Sequence, residues 1–114
     1  MLGCIFCQII ARKKPGKILY EDEQCVVIQD ISPKAPVHFL VIPRKHITSL
    51  NDDLENEKML LGHLMAIAAR VAKEQGIDGR GYRAVINTNA EAGQTIFHLH
   101  IHVLGGRILR WPPG

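Results

Sequence analysis

The chain reads Thr95-Ile96-Phe97-His98-Leu99-His100-Ile101-His102-Val103-Leu104-Gly105-Gly106-Arg107 near its end. Histidine alternates three times with aliphatic residues, and a period of two is typical of a β-strand, in which residues i, i+2 and i+4 share a face. The run therefore predicts a strand carrying one row of imidazoles about 6–7 Å apart. The intervening residues Leu99, Ile101 and Val103 are predicted to face the core.

The imidazole row admits two functional hypotheses and one structural one. Clustered histidines usually ligate a metal or act as catalysts near neutral pH. In the first case, two of them and a third histidine hold a zinc that activates water. In the second, one imidazole is the nucleophile and another moves protons, because adjacent imidazoles cannot all be charged and one stays a free base. The structural alternative is a half-exposed strand whose polar positions happen to be histidine.

Composition predicts one soluble globular domain over residues 1–114, since the chain is 46% hydrophobic and 22% charged. The net charge of +3 is scattered, which excludes a nucleic-acid footprint but suits a small phosphate-bearing ligand. No apolar run reaches membrane-spanning length and no signal region opens the chain, so a cytoplasmic protein without a membrane partner is expected. Three cysteines argue against a disulfide framework.

Hydrophobic periodicity predicts two helices and five strands. A short amphipathic helix is expected within Cys4–Arg12, and a long one over Leu54–Gln75 after the N-cap candidates in residues 51–53. His38 is assigned to the framework of the third strand, and His63 to the surface of the long helix. The strands are Ile18–Glu21, Cys25–Gln29, Val37–Ile42, Tyr82–Asn87 and the histidine strand; the core stripe of the long helix is Leu54, Leu61, Leu64, Met65, Ala68 and Val71.

Three further motifs carry candidate chemistry. Cys4 and Cys7 form a C-x-x-C pair, which is half of a zinc site or two small buried residues on one helix face. Residues 88–95 form a polar, glycine-containing loop beside the histidine strand, where backbone N–H groups could hold a phosphate. Asp30 lies in a proline-rich loop, either as a turn former or as an acceptor for a ligand hydroxyl.

The run His98–Leu104 matches the His-φ-His-φ-His-φ-φ signature of the histidine triad (HIT) family, where φ is apolar. Similar stretches of that family correspond to residues 30–33, 39–43, 45–47 and 93–95. The segment from Leu104 to Gly114, with Trp111-Pro112-Pro113-Gly114, resembles the Hint branch in particular. The resemblance extends over essentially the whole chain.

Membership of this family implies an α+β fold. Each subunit has a five-stranded antiparallel sheet with a short N-terminal helix and one long helix, and a homodimer joins two sheets into ten strands. The Hint branch binds purine nucleotides of the AMP and GMP type and hydrolyses nucleoside 5′-phosphoramidates and related nucleoside monophosphate derivatives. No cofactor is required for this catalysis.

The resemblance also implies roles for individual residues. His100 is the nucleophile that forms a covalent nucleotidyl-histidine, His102 contacts the phosphate and assists the leaving group, and His98 and His46 support the reaction or relay protons. Asp30 binds the ribose hydroxyls, and Trp111 from the tail of the other subunit influences substrate choice. The phosphate contacts are Asn87, Gly93, Gln94 and Thr95; the walls of the base pocket are Ile5, Phe6, Ile9, Ile28 and Ile31.

Many bacterial relatives carry the C-x-x-C pair with a structural zinc, for which the resemblance implies Cys4, Cys7, His46 and His98 as ligands. Zinc ligation and catalysis then compete for His46 and His98, whereas His100 and His102 are free in either case. Two alternatives stay open beside the phosphoramidase: a zinc-dependent hydrolase, and a non-catalytic nucleotide-binding or scaffold dimer.

Overall fold

The computed structural model describes residues 3–114 and contains two α-helices and five strands in that range. The bounds of the helices are α1 Ile5–Ile10 and α2 Lys58–Glu74, with short 3₁₀ turns at Glu55–Glu57 and Ala90–Ala92. The strands are β1 Ile18–Glu21, β2 Cys25–Gln29, β3 Val37–Pro43, β4 Tyr82–Val85 and β5 Ile101–Gly105. None of the helices within these residues is long and apolar enough to cross a bilayer.

The five strands form one antiparallel sheet in the order β1-β2-β3-β5-β4. The predicted fold class is therefore confirmed: a five-stranded antiparallel sheet with a short N-terminal helix and one long helix. In the β3–β5 pair Leu40 lies opposite His102, and His38 lies opposite Leu104. Because alternate residues share a face, His38 and His102 project from the same side of the sheet.

The two faces of the sheet are covered by different helices. Residues such as Val27, Phe39 and Ile101 face α2 and form the larger core with Leu64 and its neighbours on that helix. The opposite face packs Val26, Ile28, Leu40 and Ile42 against Phe6 and Ile9 of α1. The aliphatic residues of the histidine run belong to the α2 side, so the histidines themselves lie on the α1 side.

Several details of the sequence prediction are wrong. The fourth strand ends at Val85 and not at Asn87. The long helix begins at Lys58, because residues 55–57 form a 3₁₀ turn whose first amide donates to Asp53 Oδ1. Met65 is 50% exposed and lies outside the core stripe. The final strand begins only at Ile101, since the amide of Leu99 leaves the ladder and donates to the carbonyl of Ile47.

Asp22 fastens the β1–β2 turn to α2. Its Oδ1 accepts from the amides of Gln24 and Cys25, and its Oδ2 accepts from Tyr20 Oη and faces His63 Nε2 at 2.6 Å. His63 is thus half-buried at a contact between elements and is not a free helix-surface residue. Cys25 Sγ lies close to both side chains, but the carboxylate oxygens are already fully engaged, which favours a structural clamp over a metal site.

We expect Asp22→Asn to lower the free energy of unfolding by about 2–3 kcal/mol at neutral pH, because charged hydrogen bonds are lost. Burial opposes ionisation of this carboxyl, but its donors outweigh burial and hold its pKa well below the usual value. A lowered folded-state pKa means that the stabilisation is present above the unfolded-state pKa and disappears as the pH falls. Denaturant unfolding between pH 7 and pH 3 should show the variant and wild type converging in acid. Glu23→Gln in the same exposed turn is the matched control, and an equal loss in that variant would contradict the clamp.

Candidate active site

His100 lies under α1, directly before β5. Its ring is 8% exposed and meets Phe6 edge-on, with 5.0 Å between ring centroids. Nδ1 donates to the backbone carbonyl of His98 at 2.7 Å, which places the ring proton on Nδ1 and leaves the lone pair on Nε2. Burial lowers the pKa of His100, so the ring is neutral at physiological pH. A neutral imidazole with a free Nε2 is a nucleophile that needs no further activation.

His102, the one histidine within β5, lies 4.9 Å from His100 between ring centroids. Its Nδ1 is 2.9 Å from Nε2 of His38 on β3. The amide of Lys34 donates to His38 Nδ1 at 3.0 Å, so neutral His38 carries its proton on Nε2 and donates it to His102. The remaining proton of neutral His102 is therefore on Nε2. Burial lowers the pKa of His102 to about 4.

Asp30 follows β2 immediately and joins the same group. Its amide donates to the carbonyl of His38, and its Oδ1 accepts from the amide of Ser32 at 2.8 Å. Oδ2 then lies 3.4 Å from His38 Nε2. Ligand-capable atoms of Asp30, His38 and His102 all lie within 4.8 Å of one another. A carboxylate, two imidazoles and the neighbouring His100 thus form one polar cluster on the α1 side of the sheet.

Cys4, Cys7, His46 and His98 form a second cluster at the N-terminus of α1. Cys7 Sγ is 3.3 Å from His46 Nδ1 and 3.5 Å from His98 Nδ1, and Cys4 Sγ is 3.3 Å from His98 Nδ1. A tetrahedral zinc with ordinary Zn–S and Zn–N bonds separates its sulfur and nitrogen ligands by about 3.5 Å. The spacing of these donors therefore fits that ion.

The protonation of His98 also fits metal ligation. Nε2 donates to the carbonyl of Pro43 at 2.8 Å, which leaves the Nδ1 lone pair directed at the two sulfurs. Such a second hydrogen bond to a carbonyl is the usual support of a metal-bound imidazole. Burial and the adjacent Cys4 raise the pKa of Cys7, so a nearby cation would favour its thiolate form.

Comparisons with known proteins agree with this arrangement. The family model for the HIT domain matches residues 11–109. The chain belongs to the HIT domain family. An uncharacterized HIT-like protein of Synechocystis sp. is 50% identical to it over 110 residues, which is 96% of each chain.

Among solved structures, this HIT protein is similar to proteins described as hydrolases. It is similar to a HIT family hydrolase from Legionella pneumophila, with a TM-score of 0.96, 40% identity and coverage of 98% of this chain and 100% of that one. It is also similar to a Zn-bound histidine triad family protein from Mycobacterium smegmatis, with a TM-score of 0.79, 35% identity and coverage of 93% and 76% of the two chains. The suspected family is confirmed, and the chain is hydrolase-like at that level.

The structure brings together only part of the histidine set expected from the sequence. His100 and His102 are neighbours, but His98 and His46 lie with the cysteines, where their rings are 4.7 Å apart. His38, which the sequence assigns to the framework of the third strand, also belongs to this group, because its Nε2 lies 2.9 Å from His102 Nδ1. The available signal was its position in an otherwise apolar strand, where a buried imidazole must find a polar partner.

The predicted phosphate loop lies between β4 and the triad. Gly93 has φ +83°, a left-handed conformation that favours glycine. The side chain of Gln94 is buried and already bonded to the carbonyls of Thr48 and Ile96 and the amide of Asn89. Thr95 is exposed and Asn87 half-buried. Of the predicted contacts, Gln94 thus shapes the loop through its side chain, and its amide is engaged as well, because it donates to the carbonyl of Asn89 at 3.1 Å. The amide of Gly93 likewise donates to the carbonyl of Ala90.

The predicted base-pocket residues divide into two groups. Phe6 and Ile9 of α1 are buried against Ile28 of β2. Ile5 is 38% exposed and Ile31 is 97% exposed, so both side chains present apolar surface to solvent. Trp111 is 82% exposed in the irregular tail. Exposed apolar side chains can stack on a flat ligand, so the base pocket formed by these residues stays a prediction.

Proposed function

We propose that this HIT protein hydrolyses purine nucleoside 5′-phosphoramidates and related nucleoside monophosphate derivatives through a covalent nucleotidyl-His100 intermediate. The observation that supports this most is the hydrogen bond from His100 Nδ1 to the carbonyl of His98. It leaves an uncharged Nε2 on a ring that lies 4.9 Å, between centroids, from a second imidazole that can transfer a proton. Division of one hard displacement into two easier ones is the usual benefit of such a nucleophile.

In the first step the lone pair of His100 Nε2 forms a bond to the α-phosphorus and the P–N bond breaks. The departing nitrogen keeps the electron pair and takes a proton from Nε2 of protonated His102. In the second step His102 Nε2 removes a proton from water, whose oxygen bonds to phosphorus as the bond to His100 breaks. The products are an amine and a nucleoside monophosphate. Both steps depend mainly on positioning and on stabilisation of charge at the phosphoryl oxygens.

The substrate would lie along the α1 side of the sheet. Asp30 would accept hydrogen bonds from the ribose hydroxyls, and Ile5 and Ile31 would border the base near Phe6, Ile9 and Ile28. Phosphoryl oxygens would face Thr95 at the end of the loop, with Asn87 close by, since the amides of Gly93 and Gln94 already donate within the loop. A purine nucleotide of the AMP or GMP type is the expected ligand. This assignment is supported by the shared side of the sheet on which Phe6, His100 and His102 lie.

We further propose that Cys4, Cys7, His46 and His98 hold a structural zinc. Four protein donors close the coordination sphere, whereas a catalytic zinc keeps a position for water. This favours the phosphoramidase over a zinc-dependent hydrolase. The ion would link α1 to the histidine strand. His98 and His46 would then affect catalysis only by holding His100 in position.

A homodimer is also proposed. β4 is an edge of the sheet, so within residues 3–114 its outer backbone groups meet no other strand. A second copy can pair there and extend the sheet to ten strands, which removes an exposed edge. A cavity of about 530 Å³ between β4 and residues 106–109 adjoins this edge. The exposed Trp111 lies just beyond, where it could reach the partner's site.

Intact-mass analysis after rapid mixing with an adenosine phosphoramidate tests the proposal. We expect a transient adduct of one nucleotidyl group per chain that maps to His100 and decays as the monophosphate appears. Spectra recorded under native conditions report the dimer at the same time. Turnover without any adduct, or an adduct on another residue, would contradict the mechanism. Nucleotide binding without turnover of any amine adduct would favour the non-catalytic dimer.

A further inference from the structure

His38 and His102 form a hydrogen-bonded pair that can accept an extra proton only if a third group accepts the displaced hydrogen bond. In the neutral pair, His38 Nε2 donates to His102 Nδ1 over 2.9 Å. If His102 becomes an imidazolium, its Nδ1 also carries a proton, and two N–H groups then face each other. His38 cannot move its own proton to Nδ1, because that atom accepts from the amide of Lys34. The Nε2–H of His38 therefore needs another acceptor.

Asp30 offers that acceptor. Its Oδ2 is 3.4 Å from His38 Nε2, and its Oδ1 is held by the amide of Ser32, so the free oxygen faces the pair. The side chains of Asp30 and His38 are only 16% and 4% exposed, which leaves little water to screen the charge. Asp30 is the acidic residue whose charge raises the pKa of both imidazoles against the lowering effect of burial.

We propose that the Asp30 carboxylate is the counter-ion of the His38–His102 pair and lets it carry the proton that leaves with the amine. This rests on the proposed phosphoramidate hydrolysis and goes beyond the ribose contact expected of Asp30. The other groups that face the pair are the charge of Lys34 and the ring of His100, and both oppose protonation. Asp30 is a positioning residue in this role, since it acts on the leaving group through His38 and His102.

The test combines a protein change with a substrate change. Wild type and Asp30→Asn are assayed for kcat and KM between pH 5 and 9 with an adenosine phosphoramidate and with its 2′,3′-dideoxy analogue. We expect kcat of the variant to fall about 10–100-fold with both substrates, less than the roughly 10²–10⁴-fold contribution of a general acid, because Asp30 acts on the acid only through His38. The pH profile of kcat reports the pKa of the pair in the substrate complex and not in the free protein. Without the carboxylate the pair loses its proton more easily there, so the decline of kcat at high pH should move about one unit lower. Asp30→Glu should restore part of kcat.

Loss of activity with the ribosyl substrate alone, together with an unchanged pH profile, would show that Asp30 only binds ribose and would overturn the proposal. Asp78→Asn, at an exposed carboxylate beyond α2, is the control and should match wild type with both substrates. Nitrogen-15 imidazole spectra of His38 and His102 provide a readout without substrate. If wild type turns over no phosphoramidate, the proposed function fails, but a lower titration midpoint of the pair in Asp30→Asn still supports the counter-ion. An unchanged midpoint overturns it.

Discussion

His100→Ala is expected to abolish phosphoramidate turnover, with kcat falling by at least about 10⁴-fold, while the affinity for AMP changes little. The substitution removes the atom that bonds to phosphorus, and the neighbouring His102 does not replace it, because its Nδ1 accepts from His38 and its Nε2 carries the proton. Nucleotide affinity depends on the base, ribose and phosphate contacts, which the variant retains. Steady-state kinetics and calorimetric titration of AMP on the same preparation measure the two effects.

His63→Gln is the matched control for that substitution. His63 is also a half-buried histidine with a hydrogen-bonded ring, but it belongs to α2 on the other side of the sheet. Its replacement should reduce stability through the contact with Asp22 and leave kcat near the wild-type value below the melting temperature. Substantial residual turnover in His100→Ala, accompanied by lost AMP binding, would contradict the assignment of His100 as the nucleophile.

Cys7→Ser is expected to abolish stoichiometric zinc binding and to lower the melting temperature strongly. Cys7 Sγ contacts both His46 and His98, so its removal breaks the donor set that joins α1 to the triad. A ligand present at 1,000 times its dissociation constant stabilises the folded state by about 4 kcal/mol, and that contribution would be lost. Metal analysis of purified protein and thermal unfolding with and without a chelator provide the measurement.

The effect of Cys7→Ser on kcat distinguishes a structural zinc from a catalytic one. His98 holds His100 through its backbone carbonyl, so a loosened His98 should reduce kcat by about tenfold without abolishing it. Cys25→Ala is the control, because Cys25 is fully buried on the α2 side; it should lose stability but keep one zinc per chain. Complete loss of hydrolysis on chelation, in protein that is still folded, would favour the zinc-dependent hydrolase.

Local pattern was sufficient for the elements of this fold. The ranges of β1 and β2 are confirmed residue for residue, because each is a short apolar run bounded by turn residues. Alternation in the histidine run correctly predicted which side chains face the core, since Leu99, Ile101 and Val103 are buried there. It did not reveal where pairing begins, because the ladder depends on partners: β4 ends at Val85, opposite His102, and residues 98–100 lie beyond it.

The sequence by itself determined the strands and helices, through their periodicity, and the family, through the motif that it shares with HIT proteins. That resemblance, and not the periodicity, singles out His100 and His102 as the candidate reactive pair. Only the tertiary structure decided what each imidazole does with its two nitrogens. Packing of β3 against β5 joins His38 to His102, the loop after β2 adds Asp30, and α1 draws His98 and His46 toward the cysteines. A proton on an imidazole is placed by its hydrogen-bond partners, and in this protein those partners are mostly distant in sequence.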